Sequence, residues 1–161
     1  MLNFNPSIIL PSEKITKRVI LYFAQKFFDP IGIIWLTLLY PKLLMQNLWS
    51  YKIDWDTKVD IETQKSFLSW HKELILLKNL KIPRWLFNNV NKIILVSLNI
   101  FTDARKDAIA SVIFSSIETL QEVIDKLVTA KSRVSPKDRS TTPRLELLAS
   151  TIGTRLMSFA Q

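Results

Sequence analysis

A chain of 161 residues, 48% hydrophobic and 22% charged, can bury one sizeable core, or a core with a helical appendage, and is not a disordered tail. Its two glycines, Gly32 and Gly153, exclude Gly-rich phosphate loops, the lack of cysteine excludes disulfides and thiol chemistry, and the lone His71 cannot build a histidine metal cluster. A net charge of +8 and a pI near 9.8 favour an anionic partner, nucleic acid before membrane surface.

Met1 to Ser12 is polar and punctuated by Pro6 and Pro11, so it reads as a short strand or extended arm over residues 1–14 and not as a signal peptide. An intracellular, unsecreted protein is expected. Thr16 is placed to cap a helix, with Ile15 and Ile20 as a hydrophobic staple and Ile15, Val19, Phe23 and Phe27 at helical spacing. That helix should stop at Asp29-Pro30, because the residue before proline is pushed out of the α region. The apolar run Ile31 to Tyr40 ends at Pro41, about half the length a membrane span needs, and is read as core. A second helix is expected between Leu36 and Tyr51, started or kinked by Pro41. Asp60 then caps a third, to about Leu80, with Phe67, Trp70, Leu74 and Leu77 as its apolar stripe. His71 beside that stripe reads as an ordinary helix residue. These elements make residues 15–80 a helical segment, and Ile82-Pro83-Arg84-Trp85 opens a linker over 81–91.

Residues 92–161 have a different texture. Ile93 to Phe101 is almost unbroken apolar sequence ending on Asp103, and a charged turn leads into a second β-rich run, Ala108 to Phe114. This is a strand pair, the first strand expected to be buried on both faces. A carboxylate ending a buried strand can hold a metal ion, and it can equally well begin a turn. A third strand is expected within Val123 to Ser132. A basic, turn-rich loop follows, and then a last helix with Thr142 as cap and Pro143 in its first turn. Leu145, Leu148, Ile152, Leu156 and Phe159 should form that helix's core face. Glu146 shares the neighbouring side with Ala149, Ser150 and Gly153, small residues that permit close approach to a sheet. Lys131, Arg133, Lys137, Arg139 and Arg144 crowd the loop before it, where a nucleic-acid backbone would pass.

Several strings in this order resemble the Pol polyproteins of Pao/BEL-type LTR retrotransposons: Phe28-Asp29-Pro30-Ile31-Gly32, Leu48-Trp49, Asp54-Trp55-Asp56, Ile82-Pro83-Arg84-Trp85, Ala130-Lys131-Ser132-Arg133-Val134-Ser135-Pro136 and Thr142-Pro143-Arg144-Leu145-Glu146-Leu147-Leu148-Ala149. The resemblance implies an α+β chain, with a thumb- or connection-like helical subdomain followed by part of a ribonuclease H-like mixed sheet and one packed C-terminal helix. It also implies that Asp103 and Glu146 are catalytic metal ligands, helping to hold two Mg²⁺ ions that act on the RNA strand of an RNA:DNA hybrid. Further acidic ligands would come after Gln161, so these two residues amount to half a site, inactive alone, and no Tyr-x-Asp-Asp polymerase string occurs.

The chain departs from the family pattern at Asp103-Ala104-Arg105, where Asp-Ala-Ser is usual, and at Ala110-Ser111, where a Gly-Ala pair is usual. An aspartic peptidase would need Asp-Thr/Ser-Gly, and Asp56-Thr57-Lys58 lacks the glycine, so proteolysis is rejected. Two functions stay open: part of a reverse transcriptase and ribonuclease H enzyme, or a non-catalytic module that only grips nucleic acid. In both the expected partners are an RNA:DNA hybrid and the rest of the polyprotein, with no membrane.

Overall fold

A computed structural model describes residues 2–3, 14–82, 92–137 and 141–160. The expected Pro83-Arg84-Trp85 linker, the prolines of the N-terminal arm and Arg139 lie outside them. The chain divides into two compact units, one made of residues 1–28 and 38–84, the other of residues 29–37 and 85–161. The second unit thus takes nine residues from the middle of the helical sequence.

In the helical unit, α1 (Lys17–Gln25) begins where its cap dictates. Thr16 is extended and its Oγ1 accepts from the Val19 amide at 3.4 Å. Asp60 does the same for α3 (Ile61–Glu73), accepting from the Thr63 amide at 2.9 Å, and a 3₁₀ turn, Leu74–Asn79, continues α3. Between them runs α2 (Trp35–Ser50), with Pro41 inside it. Ile15, Ile20, Phe23, Leu48, Phe67 and Leu74 are almost fully buried, and Trp70 is buried with them. Phe23 meets Phe67 edge to face at 5.8 Å between ring centres. Trp49 and Tyr51, at the end of α2 and just past it, are exposed. Two short strands, β1 (Leu2–Asn3) and β2 (Lys81–Ile82), pair antiparallel.

The other unit is built on β3 (Ile93–Ala104), β4 (Ala108–Thr119) and β5 (Val123–Val134), with α4 (Thr142–Ala160) on one face. The three strands form a meander in the order β3-β4-β5, antiparallel throughout, which realises the α+β class. Central β4 alternates strictly, burying Ile109, Ser111, Ile113, Ser115 and Ile117. By contrast β3 is exposed along most of its length, a correction to the expectation of a doubly buried strand. An unbroken apolar run fits a central strand, but among the described residues it lies at an edge of the sheet.

Helix α4 approaches through its small residues. Leu145, Ala149 and Gly153 are buried and Ile152 packs beside them, whereas Leu148 is 39% and Phe159 89% exposed, so the expected core face holds at Leu145 and Ile152 and fails at Leu148 and Phe159. The Ser111 hydroxyl donates to the Ala149 carbonyl at 2.9 Å, a contact only a short side chain on each element permits.

Candidate metal and nucleic-acid site

The carboxylate candidates sit at one end of the β3–α4 pair. Leu145 and Ala149 pack with Ala104 and Ile109, and a Cβ on Gly153 would lie 2.7 Å from side-chain atoms of Ile100 and Thr102. Hence α4 runs antiparallel to β3, its first turns over the strand end that bears Asp103. Glu146 precedes Gly153 by seven residues, two helical turns, and so lies on the same stripe over β3, towards that end.

Strand alternation decides where Asp103 stands. Ile100, Thr102 and Ala104 face α4, so Asp103, opposite Ala110 in register, projects from the other face. Both carboxylate residues are exposed, and they flank the end of an edge strand on opposite faces instead of meeting across one. Arg105 lies in the β3–β4 turn. Its amide donates to the Ala108 carbonyl at 2.8 Å, while its carbonyl accepts from Ser135 Oγ at 2.9 Å.

Two carboxylates with no thiolate suit a hard cation. Mg²⁺ commonly takes one or two carboxylates and completes its shell with water and substrate phosphate. Among the described residues no group of three or more acidic or histidine side chains comes together, so these residues do not by themselves assemble a two-ion cage.

The basic candidates lie across α4 from Glu146. Lys131 and Arg133 on β5 are opposite Ser111 and Ile109, residues whose side chains face α4. Arg144, exposed in the first turn of α4, projects from the side of the buried stripe away from Glu146. Lys137 follows β5 and is exposed. The Lys131 ammonium stands 5.9 Å from the centre of the Trp35 ring, a cation–π contact.

Trp35 belongs to the nine-residue excursion, whose role the sequence did not disclose. Asp29 Oδ1 accepts from the amides of Gly32 and Ile33 at 2.9 and 3.0 Å, and Oδ2 from that of Ile34 at 2.8 Å. So folded, the segment lies along β5: Ile31 O accepts from the Ala130 amide at 2.8 Å and from Thr129 Oγ1 at 3.0 Å, and Trp35 O accepts from Ser132 Oγ at 3.3 Å. Two strings that carry the resemblance, around Asp29-Pro30-Ile31-Gly32 and Ala130-Lys131-Ser132, therefore touch. The missed signal was Asp-Pro-x-Gly, a turn signature read only as a helix stop. Between this segment and the sheet face that bears Asp103 lies an apolar cavity of about 330 Å³, lined in part by Trp35, Leu36, Ala110, Val112 and Phe114.

A family model described as the Pao retrotransposon-like RNaseH-like domain matches residues 16–161. No curated protein matches the chain. Among the described residues no helix is long and apolar enough to cross a membrane.

Proposed function

We propose, from the premise that this chain belongs to the Pao retrotransposon-like RNaseH-like domain family, that it is a Pol segment which grips an RNA:DNA hybrid and contributes Asp103 and Glu146 to divalent-metal binding for cleavage of the RNA strand. The course of α4 supports the metal part, since it brings the Glu146 stripe to the strand end bearing Asp103, but the two side chains project from opposite faces there, so each would offer a separate oxygen ligand and not one shared cage. A bound Mg²⁺ would supply charge neutralisation at a phosphate and a water of lowered pKa. The chain's own part is to hold two acceptor groups at an accessible edge. Lys131, Arg133, Lys137, Arg139 and Arg144 would hold the backbone of the hybrid.

A non-catalytic grip by the same residues is favoured by one observation, the projection of Asp103 from the face away from α4. Two measurements on the full chain separate the possibilities. Manganese titration followed by electron paramagnetic resonance should show binding that Asp103→Asn and Glu146→Gln each weaken by about tenfold or more, as loss of one carboxylate from so small a donor set requires. Unchanged affinity in both variants would remove the metal site and leave the grip. Hybrid affinity should fall steeply with salt, and Arg133→Ala or Arg144→Ala should each flatten the logarithmic slope by about one. Salt-insensitive binding would sink both functions. With Mg²⁺ alone the chain should not cut the hybrid, since two carboxylates do not complete a two-ion site.

A further inference from the structure

Two of the strings that carry the family resemblance, Leu48-Trp49 and Asp54-Trp55-Asp56, have no part in the site described above, and the helical unit brings them together. Trp49, near the end of α2, and Trp55, in the loop that follows, meet edge to face with 6.2 Å between ring centres. Aromatic pairs of this geometry are ordinary in cores. This one lies at the surface, where Trp49 is 59% and Trp55 40% exposed.

The loop that carries Trp55 is held at successive points by the start of α1. Lys17, itself 3% exposed, donates from its ammonium to the Ile53 carbonyl, and the Arg18 amide donates to the Trp55 carbonyl at 3.4 Å. The Arg18 guanidinium grips both oxygens of Asp56, at 2.8 and 2.9 Å, and the Val59 amide donates to the Ile15 carbonyl at 3.1 Å. A buried ammonium is a costly anchor for a loop whose tryptophan stays in water. It fixes the ring before any partner arrives, and an aromatic face held in this way binds without first losing freedom.

Charge indicates what suits the two rings. Residues 14–18 and 51–59 hold the bases Lys14, Lys17, Arg18, Lys52 and Lys58 against two acids, Asp54 and Asp56, and Arg18 already matches Asp56. Lys52, whose amide donates to the Trp49 carbonyl at 3.3 Å, has a φ of +50° in the turn that ends α2, where glycine would be at ease and lysine is not. A flat ring on an anionic backbone is the chemistry of a nucleic-acid strand whose bases are unpaired.

We propose that Trp49 and Trp55 form a stacking platform for unpaired bases of a single-stranded nucleic acid, with Lys52 beside them for its phosphates. Every base has a π-face, so such a platform holds a strand without reading its sequence. The bases of a duplex cover one another and offer the rings nothing except at an end. The platform therefore shares neither residues nor ligand with the hybrid grip.

Fluorescence anisotropy of the full chain tests this with two labelled strands of about twelve nucleotides, one of oligo(dT) and one of abasic sites with the same phosphates. Trp49→Ala and Trp55→Ala should each weaken oligo(dT) binding by about tenfold, and Trp49→Phe, which keeps a ring, should recover most of the loss. The abasic strand should bind the wild type more weakly than oligo(dT) does, and should bind the alanine variants as it binds the wild type. Both rings are largely at the surface, so circular dichroism should show the variants folded. Unchanged oligo(dT) affinity in both alanine variants would overturn the proposal, as would a wild type that does not prefer oligo(dT) to the abasic strand. An equal loss on the abasic strand or on an RNA:DNA hybrid would overturn it too, because the rings would then be acting on the fold and not on a base. Hybrid affinity keeps its own dependence on Arg133 and Arg144, so failure of the platform leaves the hybrid reading standing.

Discussion

Gly32 occupies a position that no other residue fills cheaply. Its φ is +80°, and a Cβ there would lie 1.7 Å from the backbone oxygen of Ala130. Gly32→Ala combines left-handed strain with a clash against rigid backbone, and should cost about 3 kcal/mol or more in chemical denaturation. A loss below about 1 kcal/mol would mean that residues 29–37 do not lie against β5. His71 is a different kind of exception. It is wedged 4.9 Å from the Phe23 ring centre, and its Nε2 is buried with no hydrogen-bond partner among the described groups. Burial, with Lys26 nearby, pushes its pKa below the ordinary value. The unfolded chain therefore takes up a proton at higher pH than the folded one. Stability should be level above about pH 7 and fall as acid protonates the unfolded histidine near its ordinary pKa of about 6.5. Between about pH 7.5 and 5.5 the wild type should lose more stability than His71→Gln, and equal losses would show that His71 is not the group responsible.

At the scale of elements, α4 makes the sharpest distinction. Leu145 is 2% exposed against Ala104 and Ile109, and Leu148, one turn on, is 39% exposed. Leu145→Ala should cost about 2–5 kcal/mol and Leu148→Ala less than about 1 kcal/mol, measured by urea denaturation. Equal costs would mean that Leu148 is packed as closely as Leu145. Helical spacing could not separate these faces, because both carry apolar residues at the right period. The caps at Thr16 and Asp60, by contrast, were legible from the sequence, since a cap is settled within three residues of itself. The exposure of β3 was not legible. Whether an apolar run lies inside a sheet or along its edge depends on what stands beside it, and the run itself says nothing of that.

For the whole molecule, the order of helices, strands and last helix followed from composition and turn chemistry, whereas the departure of residues 29–37 to the sheet did not. Its cause is pairing across nearly a hundred positions, which no local pattern records. The candidate site was legible to a similar degree. Resemblance picked out Asp103 and Glu146, and the approach of α4 to the end of β3 followed, but the face on which Asp103 stands was fixed by strand register, which the sequence left open.

That long-range pairing has a kinetic side. Ser132 Oγ reaches the Trp35 carbonyl across 97 positions, and Thr129 Oγ1 reaches that of Ile31 across 98. A growing chain exposes residues 29–37 long before β5 exists to receive them. The helical sequence on either side of them can condense early. The nine-residue segment must wait, with the entropy of a very long loop still to be lost when β5 arrives. Folding of the sheet unit should therefore be slow next to that of the helices, and timed by the appearance of residues 129–132.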